Sequence, residues 1–137
     1  KFSKPTDGDN NKFYIKAEGT GNQNNPGSTT YFIPPSSGRL VSAHLRTNAA
    51  AMNSTTITLV TTDAGANPQD SDEEEAANHT HVETQTVDCN ARRTNFTFNF
   101  TSGATYTADQ AISLRVSGSA PGGDGMLTTV WEYDFVS

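Results

Sequence analysis

His79-Thr80-His81 is the sharpest chemical pattern in the chain. Residues two apart on a strand share a face, so both imidazoles would be presented to one metal ion. Two ligands do not close a site within one chain. Three copies meeting around an axis beside this strand would bring six nitrogens, an octahedral set suited to a transition metal. The plainer reading of His79 and His81 is a solvated pair at the end of a loop. Upstream, Asp63 and the run Asp70, Asp72, Glu73, Glu74 and Glu75 make an acidic segment. Its spacing is not that of a calcium loop, and a solvated charge run is its simpler meaning.

Catalysis has little to build on. No serine is framed as a nucleophile elbow, and no cysteine is placed with a histidine. Glu83, Glu132 and Asp134 are the carboxylates available for paired acid–base work, and the strand alternation puts all three on outward faces. No enzymatic activity and no cofactor are expected. Tyr14, Tyr31, Tyr106 and Trp131 offer rings for stacking on sugars, although aromatic side chains in a sandwich mostly fill the core. Cys89 is the only cysteine. It forms no intrachain disulfide and reads as a small apolar filler near a strand end. Four Asn-x-Thr matches, at Asn53, Asn78, Asn95 and Asn99, are what chance supplies in a chain so rich in Asn and Thr.

The bulk composition narrows the classes further. The chain has 137 residues, enough for one domain. Hydrophobic residues make up 33% and charged residues 18%, so the core is expected to be one thin layer beneath a coat of Thr, Ser, Asn and Gly. A net charge of −6, with basic residues scattered, opposes nucleic-acid binding. No apolar run is long enough for a membrane-spanning helix, and no membrane insertion is expected. The sequence starts at Lys1 rather than Met, as a fragment or a processed chain would; if a portion is missing it lies N-terminal, and this is then a terminal domain.

The elements that must position these residues are strands. Phe96, Phe98 and Phe100 alternate with Asn95, Thr97, Asn99 and Thr101, a phenyl wall inside and small polar groups outside. The same rhythm predicts inward rows at Val41, Ala43 and Leu45, at Ile57 and Leu59, at Ile112, Leu114 and Val116, and at Leu127 and Trp131. Ile15 belongs to a further strand over residues 12–18, and residues 29–33 read as a short strand closed by Pro34-Pro35. Residues 1–11 read as an arm or linker, 48–54 and 102–109 as loops, and 12–137 as the folded domain. About eight strands without a credible long helix point to an all-β antiparallel sandwich, with a jelly roll favoured over an immunoglobulin-like arrangement.

Three segments carry a family resemblance: Phe32 to Thr47, Val82 to Asp88 followed by Phe96 to Phe100, and Leu127 to Asp134. Together they resemble a jelly-roll-like β-sandwich domain of tailed-bacteriophage virion proteins, in particular the C-terminal head of tail-fibre or appendage proteins. The resemblance implies a homotrimer exposed on the virion, assembled in the bacterial cytoplasm, that contacts host-surface glycans or other virion proteins. It carries no binding residues over to this chain. A capsid decoration protein is the alternative reading, and a bacterial carbohydrate-binding or adhesin module a third.

Overall fold

A computed structural model describes residues 2–3, 12–15, 22–23, 31–48, 51–66, 79–118 and 124–134. Among the described residues there are ten strands: β1 (Phe2–Ser3), β2 (Lys12–Ile15), β3 (Asn22–Gln23), β4 (Gly38–Thr47), β5 (Asn53–Thr62), β6 (Thr80–Cys89), β7 (Phe96–Asn99), β8 (Thr105–Tyr106), β9 (Ala111–Gly118) and β10 (Asp124–Tyr133). One sheet runs β1-β10-β4-β7, with β8 following β7 along the same edge of β4, and the other runs β3-β2-β9-β5-β6. All pairings are antiparallel. The all-β antiparallel sandwich expected from the alternation is the architecture found.

The winding follows from the pairing. β5 pairs with β6, β4 with β7, β2 with β9 and β1 with β10, so each pair encloses the one before it in sequence. Alternate pairs of this nested ribbon fall in opposite sheets, which is how a jelly roll is wound. Phe2 and Ser3, within the segment read as an arm, pair with Gly125 and Asp124 as the outermost strand of their sheet.

The shared layer is filled by both sheets. Leu40, Ala43 and Leu45 of β4 and Phe98 of β7 meet Ile57, Leu59, Ile112, Leu114 and Val116 from the other side. Phe100 joins them, while Phe96 is half-buried at the margin. Trp131, expected to be largely buried, is also marginal. It packs edge-on against Phe32 and Tyr106, with centroids at 6.1 and 5.6 Å, and its Nε1 donates to Thr129 Oγ1. The side chain of Ile15 lies outside the described residues.

Val41 is a correction to the predicted inward row. Trp131 is opposite Leu40 and Val130 opposite Ser42, so Val41 is an extra residue without a partner on β10. That β-bulge resets the alternation and puts Leu40 inside in place of Val41. β6 carries a second bulge: Glu83 is opposite Leu59 and His81 opposite Val60, which leaves Val82 between them. Of the predicted strand 29–33, residues 29–30 lie outside the described residues, and among residues 31–33 there is an isolated bridge, Phe32 to Ile112. The predicted 102–109 loop holds β8, two residues that pair with Gly38 and Arg39.

β5 is buried on both faces, which alternation did not indicate. Leu59 faces the shared core, while Val60 turns to the outer side and is covered by Tyr31 and Ala111. Thr58 is also buried, and its hydroxyl bonds Thr84 across the sheet at 2.8 Å.

Candidate functional site

The outer face of the β10-β4-β7 sheet is where unexplained side chains collect. Since Leu45 and Ala43 point inward, Arg46, His44 and Ser42 point out. Directly opposite on β10 stand Met126, Thr128 and Val130, and on β7 stand Thr97 and Asn99. The face is therefore a grid of cross-strand pairs on three adjacent strands. Arg39 and Glu132 close its lower end with an ion pair at 3.0 Å.

Its centre is a short hydrogen-bonded relay. Ser42 Oγ lies 3.1 Å from His44 Nε2, and His44 Nδ1 lies 3.1 Å from Thr97 Oγ1. A neutral imidazole has one donor and one acceptor nitrogen, and here each has a hydroxyl partner. The order hydroxyl–imidazole–hydroxyl is formally that of a nucleophile, a base and an orienting group. Two features separate this polar floor from such a triad. The orienting group is a neutral hydroxyl rather than a carboxylate, and Ser42 is only 8% exposed.

Around that floor the surface changes character. Met126 and Val130 are 43% and 45% exposed, large apolar groups on an otherwise polar strand face. Arg46, beside Met126, holds a buried Nε that has no hydrogen-bond partner among the described residues.

The predicted site residues are dispersed. His79 precedes β6, is 6% exposed, and its Nδ1 is 2.7 Å from the Tyr31 hydroxyl, with the two rings stacked. His81, on β6, is exposed. His79 lies before the first residue of the strand and turns toward Tyr31, which covers Val60, the residue paired with His81. Among the described residues, no three His, Cys, Asp or Glu side chains are grouped to hold a metal ion. Asp70 to Glu75 lie outside the described residues.

Glu83 is a second correction. It sits opposite Leu59 on the core-facing side of the β6 edge, not on an outward face. Its carboxylate accepts from the Thr101 amide at 2.8 Å, from the Thr101 hydroxyl and from Gln85 Nε2 at 3.0 Å. Burial pulls its pKa up, but these three hydrogen bonds outweigh it and hold the carboxyl below its ordinary value. A general acid needs the opposite shift. Glu132 and Asp134 are exposed, as expected. Of the rings named for stacking, Tyr31 and Tyr106 are core and Tyr14's side chain lies outside the described residues. Cys89 is buried, which raises its thiol pKa and suits a filler.

Alternation with Ala43 and Leu45 leaves Ser42, His44 and Arg46 on the outward side of β4 without grouping them with any partner. The signal was there in Ser42-Ala43-His44, a same-face spacing, but the Thr97 partner comes from a strand more than fifty residues away. No protein-family model matches the chain, and neither a curated protein nor a solved structure is significantly similar to it.

Proposed function

We propose that this is a non-enzymatic virion structural protein of a tailed bacteriophage, displayed on the particle as a trimeric fibre or appendage head that attaches to glycans of the host surface. The observation that carries the reading is the make-up of the outward strand faces. Thr84, Thr86, Thr97, Asn99 and Thr128 are exposed, small, uncharged and rich in both donors and acceptors. Surfaces of this kind meet the hydroxyl-rich surface of a polysaccharide without the desolvation penalty of burying charge. The half-buried carboxylate Glu83 supports a binding role, since its lowered pKa keeps it ionised and unable to protonate a leaving group. The particle setting itself comes from the family resemblance of the three segments given above.

The test has two arms. Fluorescently labelled protein is incubated with host cells, with and without purified surface polysaccharide, and antibody against the protein is located on intact particles by electron microscopy. Saturable cell binding that the polysaccharide competes away, with label at the appendages, supports the reading. Label spread evenly over the capsid, without cell binding, moves the protein to the capsid decoration class.

A further inference from the structure

We infer that a neutral sugar is held at the end of the sandwich where β10 leaves its sheet. Its ring stacks on Tyr133 beside Trp131, and the Tyr106 hydroxyl and the Asp134 carboxylate hydrogen-bond its rim. The inference rests on the glycan-attachment reading above and names where the glycan is held and of what class it is.

The strand register brings these side chains together. Tyr133 and Trp131 are two apart on β10, so both lie on the core-facing side, opposite Gly38 and Leu40. Tyr106 of β8 pairs with Gly38 across the other edge of β4. Gly38 is thus set between two tyrosines and brings no side chain of its own. The Tyr106 hydroxyl and the Tyr133 Cα are 2.8 and 3.1 Å from the point that a Cβ on Gly38 would occupy. One row further in, Leu40 is fully buried and the core is closed. At the Gly38 row it opens: Tyr133 is 39% exposed, and Trp131 is half-buried, held edge-on by Phe32 and Tyr106.

The Tyr106 hydroxyl is the observation that points to a ligand. Tyr106 is 3% exposed, and its hydroxyl is buried with no hydrogen-bond partner among the described residues. A buried hydroxyl left unpaired is destabilising, and a sugar hydroxyl supplies the missing partner. Tyr133 is the last residue of β10, and its ring admits the sugar by turning over Gly38, where no side chain stands in the way.

The surrounding groups select the class of sugar. A sugar ring presents C–H groups on its faces and hydroxyls on its rim, which suits aromatic rings bordered by a few polar groups. Asp134 is exposed directly after Tyr133, and its charge reaches the Tyr106 hydroxyl. An ionised carboxylate accepts from sugar hydroxyls but repels uronate, sulfate or phosphate. Arg39, beside Gly38, is engaged by Glu132 and so offers such an anion no counter-charge. The subsite is therefore one for a neutral sugar.

Trp131 is the only tryptophan of the chain, so its fluorescence reports on this end of the sandwich alone. The full chain is titrated with a neutral and with a uronate-bearing oligosaccharide fraction of host-surface polysaccharide, alongside Tyr133→Ala and Tyr106→Phe variants. Circular dichroism and Tm check the fold of each. The neutral fraction is expected to give a saturable change, weakened about tenfold or more in Tyr133→Ala and about threefold in Tyr106→Phe. Unchanged affinity in both folded variants overturns the subsite, as does stronger binding of the uronate fraction. Cell binding that the polysaccharide competes away, without any change in Trp131 fluorescence, overturns the subsite but leaves glycan attachment standing. Absence of any binding to cells or polysaccharide overturns both. If Tyr133→Ala does not fold, Asp134→Asn replaces it; a loss of about threefold is expected, and unchanged affinity overturns the proposal.

Discussion

Glu83→Gln is the substitution that most directly tests how the two sheets are clasped. β6 is an edge strand of one sheet, and Thr101 follows β7 at an edge of the other. The Glu83 carboxylate spans them by accepting the amide and the hydroxyl of Thr101, and Gln85 donates a third bond from its own strand. Hydrogen bonds to an ionised group contribute about 1.5–3 kcal/mol each, and the three are not additive. Thr101 is exposed, so water replaces part of what is lost and the site is partly screened. Replacing the carboxylate by a neutral amide, which keeps one acceptor oxygen, should therefore cost about 1–2 kcal/mol at neutral pH. For a domain of this size that is a fall in Tm of about 3–8 °C.

The pH dependence gives the sharper test. The Glu83 carboxyl is held below its ordinary value of 4.5, so its contribution is complete above that value and is lost as pH falls through the lower folded pKa. Urea unfolding of both proteins along a pH series should show a gap that is constant near neutrality and closes in the acid range. A gap of zero at neutral pH, or one that persists unchanged into acid, would refute the clasp.

Other substitutions probe separate links. Phe98→Ala removes a fully buried ring from the shared layer and should cost about 3–5 kcal/mol in denaturant unfolding; a cost below 1 kcal/mol, about the scale of a surface change, contradicts the core placement. Gly38→Ala should destabilise by about 1–3 kcal/mol, because the added Cβ would collide with the Glu132 carbonyl and lie 2.8 Å from the Tyr106 hydroxyl. The Tyr106 hydroxyl is pushed up to about 12, by burial first and then by Tyr133 and Asp134, so ultraviolet titration should show a tyrosine step near 12 that is missing in Tyr106→Phe. Because its folded pKa is raised, stability tied to Tyr106 is present below about 10 and is lost as pH rises toward 12.

Much of the sandwich was legible because period two is a direct signature of half-buried strands. Ile57, Leu59, Ile112, Leu114, Val116 and Phe98 alternate with polar neighbours, and every one is inside. The failures share a cause: each depends on a residue far away in sequence. Nothing local marks Val41 as the unpaired residue of a bulge, since its neighbours Leu40 and Ala43 are equally apolar. Val60 looks like an outward valine until Tyr31 is folded over it. Glu83 alternates outward only if Val82 is counted into the ladder, and the second bulge removes it. His79 is engaged by Tyr31, a partner that the local pattern His79-Thr80-His81 does not announce. The outward face of β10 was half legible: placing Leu127 and Trp131 inward leaves Met126 and Val130 outward, but only the register with β4 sets them opposite Arg46 and Ser42.

The nested pairing of strands has a consequence for how the chain reaches its fold. β1 finds its partner only across almost the full length of the chain, and β10 lies between β1 and β4 in their sheet. On a ribosome, β4 would leave the exit tunnel with one edge open until β10 had been made. β5 and β6 are the pair that closes earliest, and each outer pair must wait for the one inside it. Topologies dominated by such distant pairings fold slowly. During synthesis the apolar rows of β4 and β5 are thus exposed before their partners exist, a period in which a chaperone or a sparing rate of translation has the most to protect.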